Sequence, residues 1–454
     1  MNMVRGQKLE EEFNQIALSL GGDVESRAQG DEYLRNTHAL YHGGPAPWAF
    51  TPKIFDDKQA LLLKNAAETM GRIMDKLTSH YLVDATFRKR FSFSPKMESL
   101  TLVPSGYERL IPLARVDIFF NEQTGDFSFC ELNTDGSAGM TNTAEITDAI
   151  RLSATYHEFA LRHPHIEVFD IRSGCIDAII DAYRQWTGKK GSELSDLAVV
   201  DYADAVSTDE VTDFIERFQA MGINARFSDI RDLKLASVSG HTRLVDGEGP
   251  IECVWRRAVT CDVEARFGDG PSAFVEAMRR NIVCSVGGFR TWPCATKTVF
   301  TAIKDPEFRA QLSDEEVDFI DKHIPETYLL GPTSDLKHYQ DKDRWIIKPS
   351  GGYNSVGVKA GLDCSSKDWK QRLNLGMLHR DVIQAYAPQY VTDILRGGIS
   401  LGKQGPLGLE SVNNMEGLYL FGGKFGGVFT RCAHAHTIGE FTGRLNMGCL
   451  VVHE

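Results

Sequence analysis

The segments LARVDIFF (113–120) and FSFCELN (127–133) constrain the fold of this chain more than any other stretch. Both are short and rich in Val, Ile and Phe, and the intervening EQTGD (122–126) carries the Gly and Asp that a chain reversal favours. The pattern predicts a β-hairpin. Side chains alternate along a strand, so the odd-numbered residues of both segments share one side. Pairing residue 117 with 131 sets 115 opposite 133. Arg115, Asp117, Glu131 and Asn133 then converge within about 5 Å, one cross-strand spacing. Two carboxylates and an amide set this close suit Mg2+, which takes few protein oxygens and completes its shell with water and substrate phosphate. The other reading is a solvated hairpin face with an ordinary Arg115–Glu131 ion pair, worth about 0–1 kcal/mol. The same alternation turns Cys130 to the opposite side, into the core.

A chain of 454 residues exceeds one small domain, and 42% hydrophobic with 25% charged residues supplies large cores in a soluble globular protein. The net charge of −12 is spread along the chain, which argues against nucleic acid as a partner. An anionic ligand therefore needs locally placed Lys, Arg or backbone N–H groups. No apolar run is long enough to span a membrane, and the N-terminal segment lacks an apolar signal region. The nine cysteines are scattered without a CxxC pair, so neither a disulfide framework nor a zinc site follows, and a cytoplasmic location with reduced thiols is expected.

Four regions are expected. Residues 1–95 read as a mainly helical N-terminal region broken by HGGPAPWAFTP at 42–52. Residues 96–160 hold the hairpin and a helix. Residues 161–290 alternate helix and strand as a small Rossmann-like α/β unit, with a helix opened by Thr208 and closed by Gly222 and strands at 197–202, 223–230, 242–247 and 252–257. No GxGxxG follows its first strand, so nothing supports a dinucleotide site there. Residues 291–454 have an α+β pattern: helices at 296–305 and 314–323, strands RWIIKPS, VGVKAG and VIQAYAP, a Gly-broken pair GLYLFGGKFGGVFTR, and a loop at 432–447.

Lys348 ends an apolar strand and meets Pro-Ser-Gly351-Gly352-Tyr-Asn-Ser-Val-Gly357. Glycines let backbone N–H groups approach phosphate oxygens, and the lysine adds a point charge for them. An ordinary β-turn with a snorkelling lysine is the plainer reading. Lys297 opens KTVFTAIKD, where a cation opposes the helix dipole unless an anion sits nearby. Gln384, Ala385 and Tyr386 offer an edge and a plane for adenine, or form a plain core strand.

Taken in order, R-x-D, E-x-N, a lysine before a helix, a strand lysine with a Gly-rich loop, and I-Q-x-Y resemble the glutathionylspermidine synthetase-like ligases. That family is a branch of the ATP-grasp superfamily whose segments run in permuted order. The resemblance covers residues 98 to the end, including VWRR at 254–257 and IPETYLL at 324–330. It implies a permuted ATP-grasp fold with a small Rossmann-like pre-ATP-grasp domain, and ATP with Mg2+ as cofactors. It implies Asp117, Glu131 and Asn133 as metal ligands and Arg115 as the group on the transferring phosphoryl. Lys297 and Lys348 fall on the phosphates under the glycine loop, and Gln384–Tyr386 on the adenine. After the Glu and Asn the family usually has Asp-Thr-Pro, whereas this chain has Asp135-Gly136-Ser137. Asp135 and Ser137 are therefore the expected substrate contacts, with a substrate that differs from the family's. No segment matches the amidase domain of bifunctional members.

The implied reaction is ATP-dependent joining of a small carboxylate, a peptide or amino acid, to an amine through an acyl phosphate. The amine must lose its proton, and Asp135, His434 or His436 could accept it, unless the histidines are plain loop residues. A kinase acting on a hydroxyl and a non-catalytic nucleotide-binding protein are the alternatives. Gly439 and Gly443 make the 432–447 loop a candidate lid, or a simple connector.

Overall fold

The computed structural model describes residues 5–188, 193–266, 272–352, 355–398, 408–439 and 442–454. An eight-stranded sheet organises the molecule. Its main path runs Trp48–Asp56, Leu445–Val452, Lys424–Ala433, Glu410–Phe421, Leu113–Phe120 and Phe127–Asn133. Val391–Ile394 also pairs with Glu410–Phe421, and Ile166–Glu167 with Leu445–Val452. One face is apolar because alternate residues Val116, Ile118, Leu418 and Val428 are hydrophobic. They pack on Leu63, Met70, Met74 and Leu77 of the long helix Asp57–Val83. That helix starts where it does because Asp56 and Gln59 form a reciprocal capping box. Each large side chain buried there contributes about 1.5–3 kcal/mol.

The N-terminal region carries helices Arg5–Ser19, Val24–Arg35 and Asp57–Val83, and it also gives a strand to the main sheet. Trp48–Asp56 is a fully buried strand of the main sheet, running parallel to Leu445–Val452. Its Pro52 reads as a breaker in sequence because proline cannot donate to a ladder. The pairing slips at that point: Ala49 faces Met447 and Lys53 faces Cys449, so the proline sits in the irregularity.

A second sheet is wholly parallel, in the order Cys284–Val286, Cys253–Arg256, Asp196–Asp201, Asn224–Asp229. Parallel neighbours require crossovers. Thr208–Ala220 supplies one, and its Phe214 ring lies 4.9 Å from that of Trp255. Ser207, not Thr208, is the N-cap, while Gly222 closes the helix at φ +83° as expected. The result is an open parallel α/β layer, and one strand expected in it lies elsewhere. His241–Val245 belongs instead to a separate antiparallel ribbon with Lys234–Val238 and Pro250–Ile251. Its two-residue turn, Ser239-Gly240, has positive φ at both positions, which suits the strands' twist.

A third, antiparallel sheet runs Thr327–Leu329, Val382–Ala385, Trp345–Lys348, Lys359–Ala360. Helix Ser366–His379 packs on it through Trp369 and Leu373 against Trp345 and Ile347. The VGVKAG strand is reduced to its last pair, because Val356 and Gly357 stay in the turn. The helix expected at 296–305 is broken into Trp292–Ala295 and Val299–Ala302, since the Lys297 N–H turns away to Ser350 O at 2.9 Å. Tyr353, Asn354 and residues 440–441 of the expected loops lie outside the described residues. No helix among the described residues is long and apolar enough to cross a membrane.

One polar cluster is buried in the main sheet. Lys53, Glu122 and Glu416 are each 0% exposed, and Glu10 is 2% exposed. Lys53 Nζ lies 3.3 Å from Glu10 and pairs directly with Glu122. Neither carboxylate oxygen of Glu416 has a hydrogen-bond partner of ordinary geometry. Burial pushes this carboxyl up to about 7, against the pull of Lys53 and the Phe120 N–H.

Candidate active site

The hairpin forms with the expected register: Arg115 faces Asn133 and Asp117 faces Glu131. Beyond that pair the register slips, so that Ile118 faces Phe129 and Cys130 is an extra residue. This bulge was not legible from alternation alone. It lets Cys130 and Glu131 line the same cleft, although Cys130 was expected only in the core. Cys130 is 8% exposed, its Sγ donates to Asp117 O at 3.3 Å, and burial pushes the thiol up, far from a nucleophile's range.

Asp117 is completely buried beneath two guanidinium groups. Arg115 grips it in two places, Nε to Oδ1 at 2.7 Å and Nη2 to Oδ2 at 3.0 Å, and gives Nη1 to Ala138 O at 2.7 Å. Arg431, from a strand 300 residues later in sequence order, adds Nη2 to Oδ2 at 3.1 Å. Gly417 lies opposite Asp117 on the neighbouring strand and makes this packing possible. A Cβ there would sit 2.6 Å from Arg115 Cδ and 2.8 Å from Asp117 Oδ1. The Phe429 ring covers both arginines, 4.7 Å from the Arg115 guanidinium carbon and 5.3 Å from that of Arg431. Burial, reinforced by Arg115, lowers Arg431 to about 10. Arg431 and Gly417 carry no local motif, and only the pairing of distant strands reveals them.

Lys297 and Lys348 reach the same cleft from the other side. Lys297 Nζ donates to Glu131 Oε1 and to Gly352 O, the latter at 2.7 Å. Burial raises the Glu131 carboxyl, but Lys297 outweighs it and brings the group down to about 2. Lys348 Nζ donates to Cys130 O at 2.8 Å and Gln384 Oε1 at 2.7 Å, and burial lowers its pKa. Gln384 is thus engaged by Lys348 and by Thr327 Oγ1, at 3.0 Å, instead of presenting a free edge. Ala385 and Tyr386 line the cleft with Phe119, Ile346, Val358 and Ile438. Gly351 and Gly352 lead into the turn that returns at Gly357, φ +75°, where a Cβ would meet Pro349 at 2.9 Å.

The 432–447 segment is shorter than expected as a loop, because strand pairing continues to Ala433 and resumes at Leu445. His436, Thr437 and Ile438 roof the cleft, and Gly439 packs on Ser355 of the glycine-rich turn. His436 Nδ1 is 2.8 Å from Asp363, and His434 Nε2 is 3.1 Å from Glu410. Neither histidine contacts the Arg115–Asp117 pair.

Asp135 faces away from open space. Its carboxylate, 1% exposed, takes Arg256 Nη2 and the Thr260 N–H, the latter at 2.7 Å. It ties the post-hairpin loop to the parallel-sheet unit, and neither a substrate contact nor a proton acceptor is free there. Gly136 explains the missing Thr-Pro: at φ +70° it packs on Arg257 O, where a Cβ would be 2.9 Å away. Ser137 Oγ closes the turn on Asn133 O at 2.6 Å and borders a small enclosed pocket.

Four cations (Arg115, Arg431, Lys297, Lys348) therefore surround two carboxylates (Asp117, Glu131), a local excess of 4 − 2 = +2 in a chain of net charge −12. Such a site suits a polyanion. For a divalent ion, Asp117, Glu131 and Asn133 offer the hard oxygen donors that Mg2+ takes. Asn133 Nδ2 is buried without a protein partner, which leaves its amide open to a ligand. Asp117 has cations on both oxygens, so Glu131 and Asn133 are the more available donors. Among the described residues, no group of three or more His, Cys, Asp and Glu side chains is gathered to hold an ion by itself. An ion completed by water and phosphate fits this donor set.

No family model and no curated protein sequence matches this chain. Among solved structures it is similar to a glutathione synthetase-like effector (GSS30) from Globodera pallida in its apo form. The TM-score is 0.62 at 10% identity, over 94% of this chain and 96% of that one. D-cycloserine synthetase DcsG aligns over 56% of this chain and 91% of its own at 14% identity, with a TM-score of 0.27. From end to end, this chain shares the fold of the glutathione synthetase-like effector.

Proposed function

We propose that the chain is an ATP-dependent carboxylate–amine ligase on a permuted ATP-grasp fold. The observation that carries this reading is the cationic cleft between the acidic hairpin and the small antiparallel sheet, with Lys297 and Lys348 at its centre. The fold shared with a glutathione synthetase-like effector supports it. In this reading Ala385 and Tyr386 flank the adenine, and Lys297, Lys348 and the backbone at Gly351, Gly352 and Gly357 hold the phosphates. Glu131 and Asn133, backed by Asp117, hold Mg2+, which when bound shields the phosphate charge. Arg115 and Arg431 face the oxygens on which charge develops as phosphoryl passes to the substrate carboxylate. That is where preorganised cations lower a barrier, each by about 3 kcal/mol. The Lys297–Glu131 and Lys348–Gln384 contacts hold both ammonium groups in place before nucleotide arrives. The amine then displaces phosphate from the acyl group and leaves an amide. Partners are small molecules: one carboxylate and one amine.

The test is ADP release over pairs of carboxylates and amines, with hydroxylamine as a trap. A ligase gives ADP and an acyl hydroxamate from its carboxylate alone, and both fall about 100-fold in Lys348→Ala and Asp117→Asn. ADP without hydroxamate would point to the kinase alternative. ADP release that survived both substitutions would mean the site lies elsewhere.

A further inference from the structure

In an open α/β sheet the ligand crevice lies outside the carboxyl ends of the strands, where the strand order reverses. In the parallel sheet that point falls beside Asp196–Asp201, which has the next strand in sequence, Asn224–Asp229, on one side and Cys253–Arg256 on the other. The chain's own loop 134–139 docks there, attached through its odd-numbered residues. Asp135 takes Arg256 and the Thr260 N–H. The Ser137 carbonyl accepts from Arg257 Nη1 at 2.7 Å. The Gly139 N–H donates to Glu210 Oε2 at 2.8 Å, and the Thr141 N–H to the same oxygen at 3.3 Å. Helix Met140–Arg151 has no side-chain cap from its own N-cap residue, so Glu210 caps it from a neighbouring helix, where the dipole favours a carboxylate. Arg257 Nη2 closes the set on Glu210 Oε1 at 3.1 Å. Both side chains are buried, Glu210 at 5% and Arg257 at 6% exposed, and neither lines the nucleotide cleft.

Ala138 is thus held on both flanks, by Arg257 at residue 137 and by Glu210 at residue 139. Its carbonyl takes Arg115 Nη1 at 2.7 Å and the Tyr419 hydroxyl at 3.0 Å. Arg115 Nε and Nη2 go to Asp117 on the same strand, so Ala138 O is the hydrogen bond that ties this guanidinium to the loop. We infer that Glu210 and Arg257 are positioning residues for phosphoryl transfer, which hold Arg115 in place through the Ala138 carbonyl. The inference rests on the ligase reading above, in which Arg115 meets the charge that develops on the transferred group. Loss of the clamp frees the peptide groups on either side of Ala138, and a misplacement of about 1 Å costs on the order of 100-fold in rate. Lys297 and Lys348 are held by other contacts, so nucleotide affinity in the ground state is untouched.

ADP with Mg2+ and aluminium fluoride, which copies the phosphoryl group in flight, tests this without a known carboxylate. Calorimetry gives its Kd, that of ADP alone and that of the non-hydrolysable analogue AMP-PNP. The proteins are wild type, Arg257→Lys and the charge-neutral pair Arg257→Met/Glu210→Gln, which leaves no buried charge unmatched. Wild type should bind ADP about 100-fold more tightly with aluminium fluoride than without it. The paired variant should lose about 10-fold of that gain while its Kd for AMP-PNP stays within about 3-fold, and Arg257→Lys should recover part of the loss. In an Arg115→Lys background the paired change should cost nothing further, because residues that act through Arg115 have nothing left to hold. An undiminished gain in the paired variant overturns the assignment. So does an equal loss of AMP-PNP affinity, which general damage to the cleft would produce, and so does a second, independent loss in the Arg115→Lys background. A wild type that binds AMP-PNP but gains nothing from aluminium fluoride removes the role of Arg115, and this assignment with it. A wild type that ignores AMP-PNP removes the ligase reading itself.

Discussion

Replacing Glu416 by Gln should make the protein more stable at pH 8 and leave it nearly unchanged near pH 4.5. Glu416 sits on the strand next to Gly417, fully buried, with Lys53 and Glu10 as charged neighbours and Glu122 paired to that lysine. Burial moves its carboxyl from 4.5 to about 7 in the folded state. A folded value raised above the unfolded one means that the contribution is fully present below about pH 4.5 and is lost as pH climbs through 7. The size of that loss is about 3 kcal/mol, at about 1.4 kcal/mol for each pH unit between the two values. Glutamine keeps the shape and never ionises, so it removes the loss. Urea unfolding of both proteins at pH 5, 6.5 and 8 measures the gap, with the slope against urea as a control for unchanged exposure. The gap should widen steadily with pH in favour of the variant. A constant gap, or a variant that is weaker at pH 8, would mean that Glu416 is held ionised by Lys53, and the reasoning fails.

Gly417→Ala should leave AMP-PNP affinity within about 3-fold but cut turnover about 100-fold, because its Cβ strikes Arg115 and Asp117 and not the nucleotide cleft. Comparing Kd with kcat checks this, and an unimpaired kcat would show that the Arg115–Asp117 geometry is not needed. Lys348 has its pKa lowered by burial, so in the empty site it loses its proton at lower pH than a free lysine. Bound phosphate favours the ammonium form, so AMP-PNP binding should take up a proton as pH approaches 10 and affinity should fall with rising pH. Calorimetry in two buffers counts that proton, which should vanish in Lys348→Met; its persistence would assign the uptake to another group.

Local chemistry made the hairpin readable. Period-two alternation and one turn fixed the facing of Arg115, Asp117, Glu131 and Asn133. The extra residue at Cys130 escaped because a bulge changes no composition, only register. Trp48–Asp56 was misread because Pro52 argues against a strand unless the pairing slips around it. Lys297 reads in sequence as opening the helix KTVFTAIKD, but its N–H is held by Ser350, so that periodic run is cut short to Val299–Ala302. Arg431, Gly417 and the Asp135–Arg256 pair depend on contacts across 121 to 314 residues, and no window along the chain contains them.

The pairing of Trp48–Asp56 with Leu445–Val452 has a consequence for biosynthesis. About four hundred residues must emerge from the ribosome before that early strand finds its neighbour, and the hairpin likewise waits for Glu410–Phe421. Until then, two rows of unsatisfied backbone amides and the apolar residues Trp48, Phe50, Ile54 and Phe55 are exposed to solvent, the condition that draws chaperones or leads to aggregation. Late strand pairing, not the first collapse, is therefore the step that assembles the cleft.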